Sequence, residues 1–232
     1  MAQQIVALGG GGFSMEPHNL ALDRYILSLT KKDRPKVCFM PQASGESPLY
    51  VRRFYDAYTH LNTDASWFSL FEPVHNDWRD YLLEQDVLFV GGGNTKSMIA
   101  LWQAWGVVDV LKEALENGTV LAGVSAGAIC WFEQCVTDSV WPLGIIEGLG
   151  FLQGSSCPHY DGEAERRPAV HQMLTNGDLI AGIAINDYAA AHYIDGELHK
   201  VVTSRATAKA FLVSSQDGTA QETELETEFL EN

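Results

Sequence analysis

The sequence has few positive charges. It contains 15 Lys and Arg residues against 30 Asp and Glu residues, which gives a formal net charge of −15. Binding to a nucleic-acid backbone needs a basic face that displaces counterions from the phosphates, and no such face is visible in the sequence. The composition therefore argues against nucleic acid as a partner.

Long hydrophobic runs are also lacking. No stretch reaches the roughly 18 uninterrupted apolar residues of a membrane-spanning helix. The first residues, MAQQIVALGGGG, contain neither the basic region nor the apolar run of an export signal. We expect a cytoplasmic protein with no membrane partner.

Cysteine is scarce, and its spacing is uninformative for metal binding. None of the four cysteines forms a Cys-x-x-Cys pair, so neither a zinc site nor a redox pair is indicated. We expect buried, reduced thiols and neither a metal nor a cofactor.

Short apolar runs alternate with helical patterns through the first 130 residues. QIVALGG, KVCFMPQAS, DVLFVGGGN and TVLAGVSAG read as strands, and the segments between them and after the last, AICWF, read as helices. This order predicts the α/β class, with helices on both faces of a parallel sheet. Later residues change to strands and turns, with a hairpin predicted at the Asp-Gly pair 195–196, so the sheet is expected to be mixed at its edge.

The sequence favours one domain followed by an acidic tail. We assign residues 1–213 to a single α/β hydrolytic domain and residues 214–232 to the tail. Six acidic residues and no basic residue follow Ser214. A solvated extension is the preferred interpretation of this segment, and a final hairpin is the alternative.

Four loops of small residues follow predicted strands, at positions 9–12, 41–44, 91–94 and 123–127. Ligands of open α/β sheets bind at the carboxyl ends of strands, where such loops meet. Phosphate-binding motifs fail here. Val90 and Thr95 replace both glycines of a nucleotide-binding P-loop, and the loop at 9–12 lacks the third glycine of the dinucleotide fingerprint. A nucleotide-binding protein is therefore a minor alternative.

The fourth loop contains Gly-x-Ser-x-Gly around Ser125. Between a strand and a helix, this pattern is typical of a nucleophile elbow, in which a sharp turn exposes the serine hydroxyl and small neighbours avoid clashes. Backbone N–H groups at the helix start, including that of Ala126, would stabilise a developing oxyanion. The alternative is that Ser125 only caps the following helix.

A serine nucleophile needs a histidine base and a group that orients its ring. Of seven histidines, His159 lies in the polar loop SSCPHYDGE rather than in a periodic element, and site residues often lie in loops. From the residues alone the orienting acid stays open among four aspartates: Asp138, Asp161, Asp178 and Asp187. A rival set of Ser125, Asp178 and either His192 or His199 follows the chain order of α/β-hydrolases.

GGGNT, GVSAGA and PHYDGE, in this order and at these separations, resemble the peptidase E (aspartyl dipeptidase) family of serine peptidases, whose relatives include cyanophycinases. The resemblance runs from about Gly91 to about Ser204. It implies a fold like that of class I glutamine amidotransferases, with serine in place of the amidotransferase cysteine.

The resemblance also implies roles for individual residues. Ser125 would be the nucleophile and His159 the general base. Asp187 would be the orienting acid, in place of the longer glutamate common in the family, with Asp138 as the alternative acid. The N–H groups of Gly93 and Ala126 would form the oxyanion hole, and Arg166 and Asn94 would bind substrate.

We therefore expect a serine-type dipeptidase that cleaves small peptides, among them Asp-X dipeptides, through an acyl-enzyme on Ser125. The alternative is a non-catalytic or differently specific homologue that binds a small ligand on the same scaffold. A homodimer is compatible with this interpretation.

Overall fold

The structure is a computed structural model that describes residues 2–72 and 77–231. Its strands are β1 (Gln4–Leu8), β2 (Lys36–Met40), β3 (Asp64–Trp67), β4 (Val87–Val90), β5 (Val120–Val124), β6 (Phe132–Thr137), β7 (Gly144–Glu147), β8 (Leu152–Cys157), β9 (Gly182–Ile185), β10 (Ala189–Ile194), β11 (Glu197–Thr203), β12 (Ala210–Gln216), β13 (Thr219–Glu224) and β14 (Thr227–Phe229). Its helices are α1 (Gly12–Met15), α2 (Ala21–Ser28), α3 (Pro48–Tyr58), α4 (Trp78–Leu83), α5 (Thr95–Trp105), α6 (Val107–Glu116), α7 (Ala126–Ile129) and α8 (Arg166–Asn176).

The larger sheet has eight strands in the order β14-β11-β10-β1-β5-β4-β2-β3. Strands β1 to β5 pair in parallel, whereas β10 pairs antiparallel with both β1 and β11. The predicted α/β class with a sheet mixed at its edge is therefore confirmed. The predicted hairpin is confirmed as well, because Asp195 and Gly196 take positive φ values of 51° and 86° between β10 and β11.

Alternation along the strands divides the core between the two faces of this sheet. In β1, Ile5 and Ala7 face a cluster that contains Trp102 of α5 and Leu111 of α6. Val6 and Leu8 face the other cluster, which contains residues of α2 and α3. Helices therefore cover both faces, as the nearly continuous apolar runs of these buried strands predict.

A second sheet of six strands, in the order β13-β12-β9-β8-β6-β7, follows the elbow. Helix α8 packs on it through Val170 and Leu174. The helix expected from AICWF is a single turn, α7, because Phe132 already begins β6.

The long helical pattern before β5 is also two helices rather than one. Gly106 separates α5 from α6 and adopts a left-handed conformation with φ 70°. Glycine takes this conformation without steric cost, and helices commonly end on it.

The acidic C-terminal segment is not a solvated extension, which corrects the preferred prediction. Strand β13 pairs antiparallel with β12, and β14 pairs with β11 of the larger sheet. The predicted boundary at 213/214 lies inside β12. The acids were misleading because exposed strand faces of a hairpin accept charge as readily as an extension does.

Within residues 2–72 and 77–231, no helix combines the length and apolar composition needed to cross a membrane.

Candidate active site

Ser125 lies in a strained turn between β5 and α7. Its backbone has φ 56° and ψ −114°, and its N–H donates to the carbonyl of Leu8 at 3.0 Å. A positive φ is uncommon for a residue with a side chain and marks the sharp elbow that exposes a nucleophile. The Ser125 side chain makes no capping hydrogen bond to α7. The capping interpretation therefore has no support.

Gly123 and Gly127, two residues before and after Ser125, allow two close contacts between backbone segments. A Cβ on Gly123 would collide with the carbonyl of Gly127, and a Cβ on Gly127 would collide with that of Val90. Both positions need the absence of a side chain, because β4, β5 and α7 converge there.

His159 and Asp187 form a close pair. His159 Nδ1 lies 2.6 Å from Asp187 Oδ1, and the two side chains are 16% and 13% exposed. Because a carboxylate only accepts, the hydrogen-bond network assigns the proton to Nδ1 and leaves Nε2 of a neutral imidazole as an acceptor. This is the tautomer that a general base requires.

The glycine-rich loop at residues 9–12 packs against the His159–Asp187 pair. The N–H of His159 donates to the Gly9 carbonyl at 3.2 Å, and the N–H of Tyr188 donates to that of Gly10 at 3.0 Å. A Cβ on Gly10 would overlap Asp187 Oδ1 and lie 3.0 Å from His159 Nδ1. The glycine-rich loop therefore makes room for the His159–Asp187 pair.

The motif PHYDGE contributes two further groups around Asp187. Asp161 Oδ1 accepts from the Asp187 N–H at 2.9 Å. A Cβ on Gly162 would collide with Asp187 Oδ2. Asp187 is thus fixed through its backbone and enclosed by glycines on both sides of its carboxylate.

A cavity of about 450 Å³ contains both Ser125 and His159. Its wall includes four further hydroxyl side chains, those of Ser14, Ser44, Ser47 and Tyr50. Among the hydrogen bonds between described residues, none joins Ser125 to His159, and such bonds are often long before a substrate is bound. A neighbouring cavity of about 500 Å³, between residues 45–51 and 67–72, contains neither of the two residues.

The GGGN loop reaches this cavity through Gly92. A Cβ on Gly92 would lie 3.2 Å from the Cβ of Ser125, and the Gly92 N–H donates to the Tyr50 hydroxyl at 3.2 Å. A Cβ on Gly93, whose φ is 139°, would collide with the Ala43 carbonyl. Gly93 is the next residue of this loop after Gly92.

Three residues that the resemblance assigns to the site lie elsewhere. The Arg166 side chain is 3% exposed, with its Nε 2.6 Å from Glu163 Oε2, and Asp138 lies 3.7 Å from the same guanidinium. Asn94 caps α5 by accepting from Ser97 N at 2.8 Å. Arg166 and Asn94 do not line the cavity, and Asp138 does not contact His159.

The rival set of Ser125, Asp178 and His192 or His199 is not brought together. His192 is buried on β10, with its Nδ1 2.8 Å from the Tyr25 hydroxyl, and its ring contacts that of His199. Burial, with the nearby charges of His199 and Lys200, lowers the pKa of His192 to about 4. This histidine is a structural group of the sheet.

Sequence reasoning missed the contribution of α3 to the cavity. Tyr50 and Arg53 of this helix line it, one helical turn apart. Ser44 belongs to the strand-end loop at 41–44, so its loop position was a usable signal. No such signal marked Arg53, because an Arg-Arg pair on an amphipathic helix reads as a solvated face.

A serine on a strand-to-helix elbow, in a mixed sheet covered by helices, defines a class: serine-type hydrolases with a class I glutamine-amidotransferase-like fold. The chain belongs to peptidase family S51, whose family model matches residues 5–201. It is therefore a serine-type peptidase.

Relatives agree with this membership. The chain is 51% identical over 228 residues to the uncharacterized peptidase YgaJ of Bacillus subtilis, covering 98% of this chain and 99% of that protein. It is 31% identical over 181 residues to peptidase E of Haemophilus influenzae, covering 72% of this chain and 74% of that protein.

Solved structures share the fold at low sequence identity. A peptidase from an acI-B1 actinobacterium superposes with a TM-score of 0.70 at 17% identity, covering 98% of this chain and 95% of that one. A putative peptidase E from Listeria monocytogenes superposes with a TM-score of 0.62 at 17% identity, covering 85% and 97% of the two chains.

Proposed function

We propose that this peptidase hydrolyses small peptides through an acyl-enzyme on Ser125, with His159 as general base and Asp187 as the acid that orients it. The single observation that carries the proposal is the 2.6 Å contact between His159 Nδ1 and Asp187 Oδ1 in the cavity that also contains the Ser125 elbow. Asp187 holds Nδ1 of the His159 ring. Nε2 of the same ring is therefore the atom available to the serine hydroxyl.

The proposed reaction has two halves. In the first, Ser125 Oγ attacks the peptide carbonyl carbon while His159 Nε2 takes the hydroxyl proton. The tetrahedral intermediate then expels the amine, which receives that proton, and the acyl group stays on Ser125. In the second, His159 takes a proton from water, the hydroxide attacks the ester, and the serine leaves with the proton.

Charge on the carbonyl oxygen develops in both halves. We assign the N–H groups of Gly93 and Ala126 to the oxyanion hole, because each is adjacent in the chain to a residue that lines the cavity at Ser125. Donors of this kind are worth about 2.7–4 kcal/mol of barrier each when they are preorganised.

The short side chain of Asp187 is compatible with this mechanism. Gly10 and Asp187 form an isolated parallel bridge, and neither Gly10 nor Gly162 has a side chain to hold the carboxylate away. Because the backbones of Gly10 and Asp187 pair closely, the shorter aspartate side chain still contacts His159, and a longer acid is not needed. The shorter acid was the sequence feature in favour of the alternative, a homologue that binds a small ligand without turnover, and this geometry instead supports the catalytic proposal.

Asp-X dipeptides are the proposed substrate class. The H. influenzae relatives named peptidase E support peptide cleavage, and the cavity volume of about 450 Å³ lies in the range of small-ligand sites. The Arg166 guanidinium is paired with Glu163 and Asp138. A substrate carboxylate must therefore be bound by another residue.

The test combines a fluorophosphonate probe with a dipeptide screen on the wild type, Ser125→Ala and the control Ser97→Ala, which alters an exposed serine of α5. We expect labelling and hydrolysis in the wild type and the control. In Ser125→Ala, labelling should disappear and kcat should fall by about 10⁶-fold, as when another serine peptidase loses its nucleophile. Labelling that persists in Ser125→Ala would move the nucleophile to another residue.

A further inference from the structure

The cavity is electrostatically unusual for this protein. The chain carries a net charge of −15, yet of the described residues that line the cavity none is a carboxylate, and Arg53 is the one with a permanent charge. Besides Ser125, three serine hydroxyls and the Tyr50 hydroxyl share the wall with it. This is an environment for an anionic group, since attraction by Arg53 is not opposed by any acid in the lining.

Arg53 is positioned relative to the reacting atoms through Tyr50. The two residues are three apart on α3 and therefore lie on one face of the helix. Tyr50 accepts a hydrogen bond from the N–H of Gly92, which itself packs against Ser125. Arg53 thus lies one helical turn beyond the group that contacts the loop beside the elbow.

The Arg53 guanidinium is available. Within residues 2–72 and 77–231 it has no ion pair and no hydrogen bond, and its side chain is exposed. The adjacent Arg52 differs, because its Nε lies 3.7 Å from Asp56 Oδ2 across one turn of α3. Arg166 differs more, since its guanidinium is buried between acids.

We propose that Arg53 is a specificity-determining residue that binds a carboxylate of the substrate. This inference rests on the proposed function, because the carboxylate is presented while the scissile carbonyl lies at Ser125. A guanidinium binds a carboxylate through two parallel, charge-assisted hydrogen bonds. Ser47, in the turn before α3, and Ser44 add hydroxyl donors to the same wall.

A short peptide offers that carboxylate from two sources, an aspartate side chain or the C-terminus. Two substrate pairs separate them. Asp-Leu-amide against Asn-Leu-amide varies only the side chain, and Ala-Leu against Ala-Leu-amide varies only the terminus. Each pair changes one carboxylate into an amide of nearly the same shape.

The variant Arg53→Met removes the charge and keeps an unbranched side chain, and Arg52→Met is the matched control on the same helix. For the pair whose carboxylate Arg53 binds, kcat/KM of the carboxylate member should fall about 10–100-fold in Arg53→Met, as expected for a lost hydrogen bond to a charged group. The amide member should change little, and Arg52→Met should behave as wild type. A preference for carboxylate that survives Arg53→Met, or no preference in the wild type, would overturn the proposal.

A binding measurement separates this proposal from the catalytic one. In the Ser125→Ala background, the same four peptides are tested by thermal shift with and without Arg53→Met, so that no turnover is required. Stabilisation by the carboxylate member that depends on Arg53 supports the inference even if hydrolysis is not found. Equal stabilisation by both members of each pair contradicts it even if Ser125 proves to be the nucleophile.

Discussion

Two glycines determine how closely Asp187 approaches His159. Gly10 lies against Asp187 Oδ1 and Gly162 against Oδ2, and a Cβ on either would overlap the carboxylate. The 2.6 Å contact with His159 Nδ1 therefore depends on residues that have no functional group. These two glycines matter for function although they carry no functional group, because the geometry of the His159–Asp187 pair depends on the space that they leave.

Gly10→Ala tests this dependence. The added methyl group should push Asp187 from His159, and a displacement of about 1 Å at a reacting group can lower activity about 100-fold. We expect kcat for dipeptides to fall by that order, with a stability loss of about 1–3 kcal/mol for the overpacked site. Steady-state kinetics and urea unfolding measure the two effects.

Gly144→Ala is the matched control for this substitution. A Cβ at Gly144 has its nearest neighbour, the Pro142 carbonyl, at 3.7 Å, which is ordinary contact. It should leave kcat unchanged. Wild-type kcat in Gly10→Ala would show that the loop adjusts and that the glycine is not required.

Sequence reasoning reached some of these residues and not others, for identifiable reasons. Ser125 and His159 each lie in a short motif that follows a strand, and ligands of open α/β sheets bind at strand ends. Asp187 was selected among four aspartates only through the family resemblance. Arg53 lies on a helix whose pattern indicates only which face is buried. Its place in the cavity follows from the packing of α3 against the GGGN loop, which no local pattern encodes. Arg166 was misplaced because a pair of arginines beside acids does not show which one becomes buried.

At the scale of elements, β1, β2, β4 and β5 could be predicted because buried parallel strands are continuous apolar runs. Strand β3 was missed because its sequence, DASW, is not such a run. Strands β6 to β9 were harder. Half of their residues are polar or small, and α7 separates β5 from β6 by a single turn, too short to register as a helical period. The second sheet therefore emerged only from the structure.

The hairpin of β12 and β13 is joined to the histidine loop by Glu222. This carboxylate accepts a hydrogen bond from Tyr160, the residue after His159, and lies 2.6 Å from His171 Nε2 and 3.2 Å from Arg167 Nε. Burial raises the pKa of the Glu222 carboxyl, but the hydrogen bonds from Tyr160 and His171 and the charge of Arg167 outweigh it and lower the pKa overall. Strand β13, which the sequence analysis assigned to an acidic tail, therefore supports the loop that contains His159.

Glu222→Gln should weaken this connection. A hydrogen bond to a charged group contributes about 1.5–3 kcal/mol, and partial exposure of Glu222 places the expected loss of unfolding free energy near the lower end, about 1.5 kcal/mol. A carboxyl with a lowered folded-state pKa stabilises above its ordinary pKa and loses that effect as pH falls. The deficit of the variant should therefore be present at pH 7 and disappear toward pH 3.

Glu224→Gln, at the end of the same strand, is the control for Glu222→Gln. Its carboxylate pairs with Lys209 at 2.7 Å and is 54% exposed, away from the histidine loop. Urea unfolding at the two pH values and dipeptide kinetics at pH 7 compare the variants. An activity loss in Glu222→Gln that exceeds that of Glu224→Gln would indicate support of His159, and equal effects would limit Glu222 to general stability.

At the scale of the whole molecule, two buried titratable groups carry opposite pH dependence, Asp23 on α2 and His192 on β10, whose ring contacts Tyr25 of the same helix. Asp23 of α2 is fully buried, with its Oδ1 3.1 Å from the Tyr58 hydroxyl, and burial raises its pKa from 3.8 to about 7. His192 of β10 is 2% exposed, and burial lowers its pKa from 6.5 to about 4. Each group is neutral in the folded state over much of the pH range between these values.

The signs follow from proton uptake. Between about pH 4 and pH 7, folded Asp23 binds a proton that unfolded Asp23 has lost, so its contribution to stability falls as pH rises. Between about pH 4 and pH 6.5, unfolded His192 binds a proton that the folded residue rejects, so its contribution rises with pH. Each slope is at most about 1.4 kcal/mol per pH unit, and in the shared window the two oppose each other.

Single substitutions should therefore separate two slopes that nearly cancel in the wild type. Relative to wild type, Asp23→Asn should gain unfolding free energy as pH rises from 4.5 to 6.5, and His192→Gln should lose it over the same interval. The double variant should return to the wild-type pH profile, displaced only by the pH-independent cost of the two substitutions. Urea unfolding at intervals of half a pH unit gives the curves, and using differences between variants removes the background of the remaining carboxyl groups. If Asp23→Asn ran parallel to wild type at every pH, folded and unfolded Asp23 would bind protons equally, and at neutral pH its carboxylate would be a buried charge beside the Tyr58 hydroxyl.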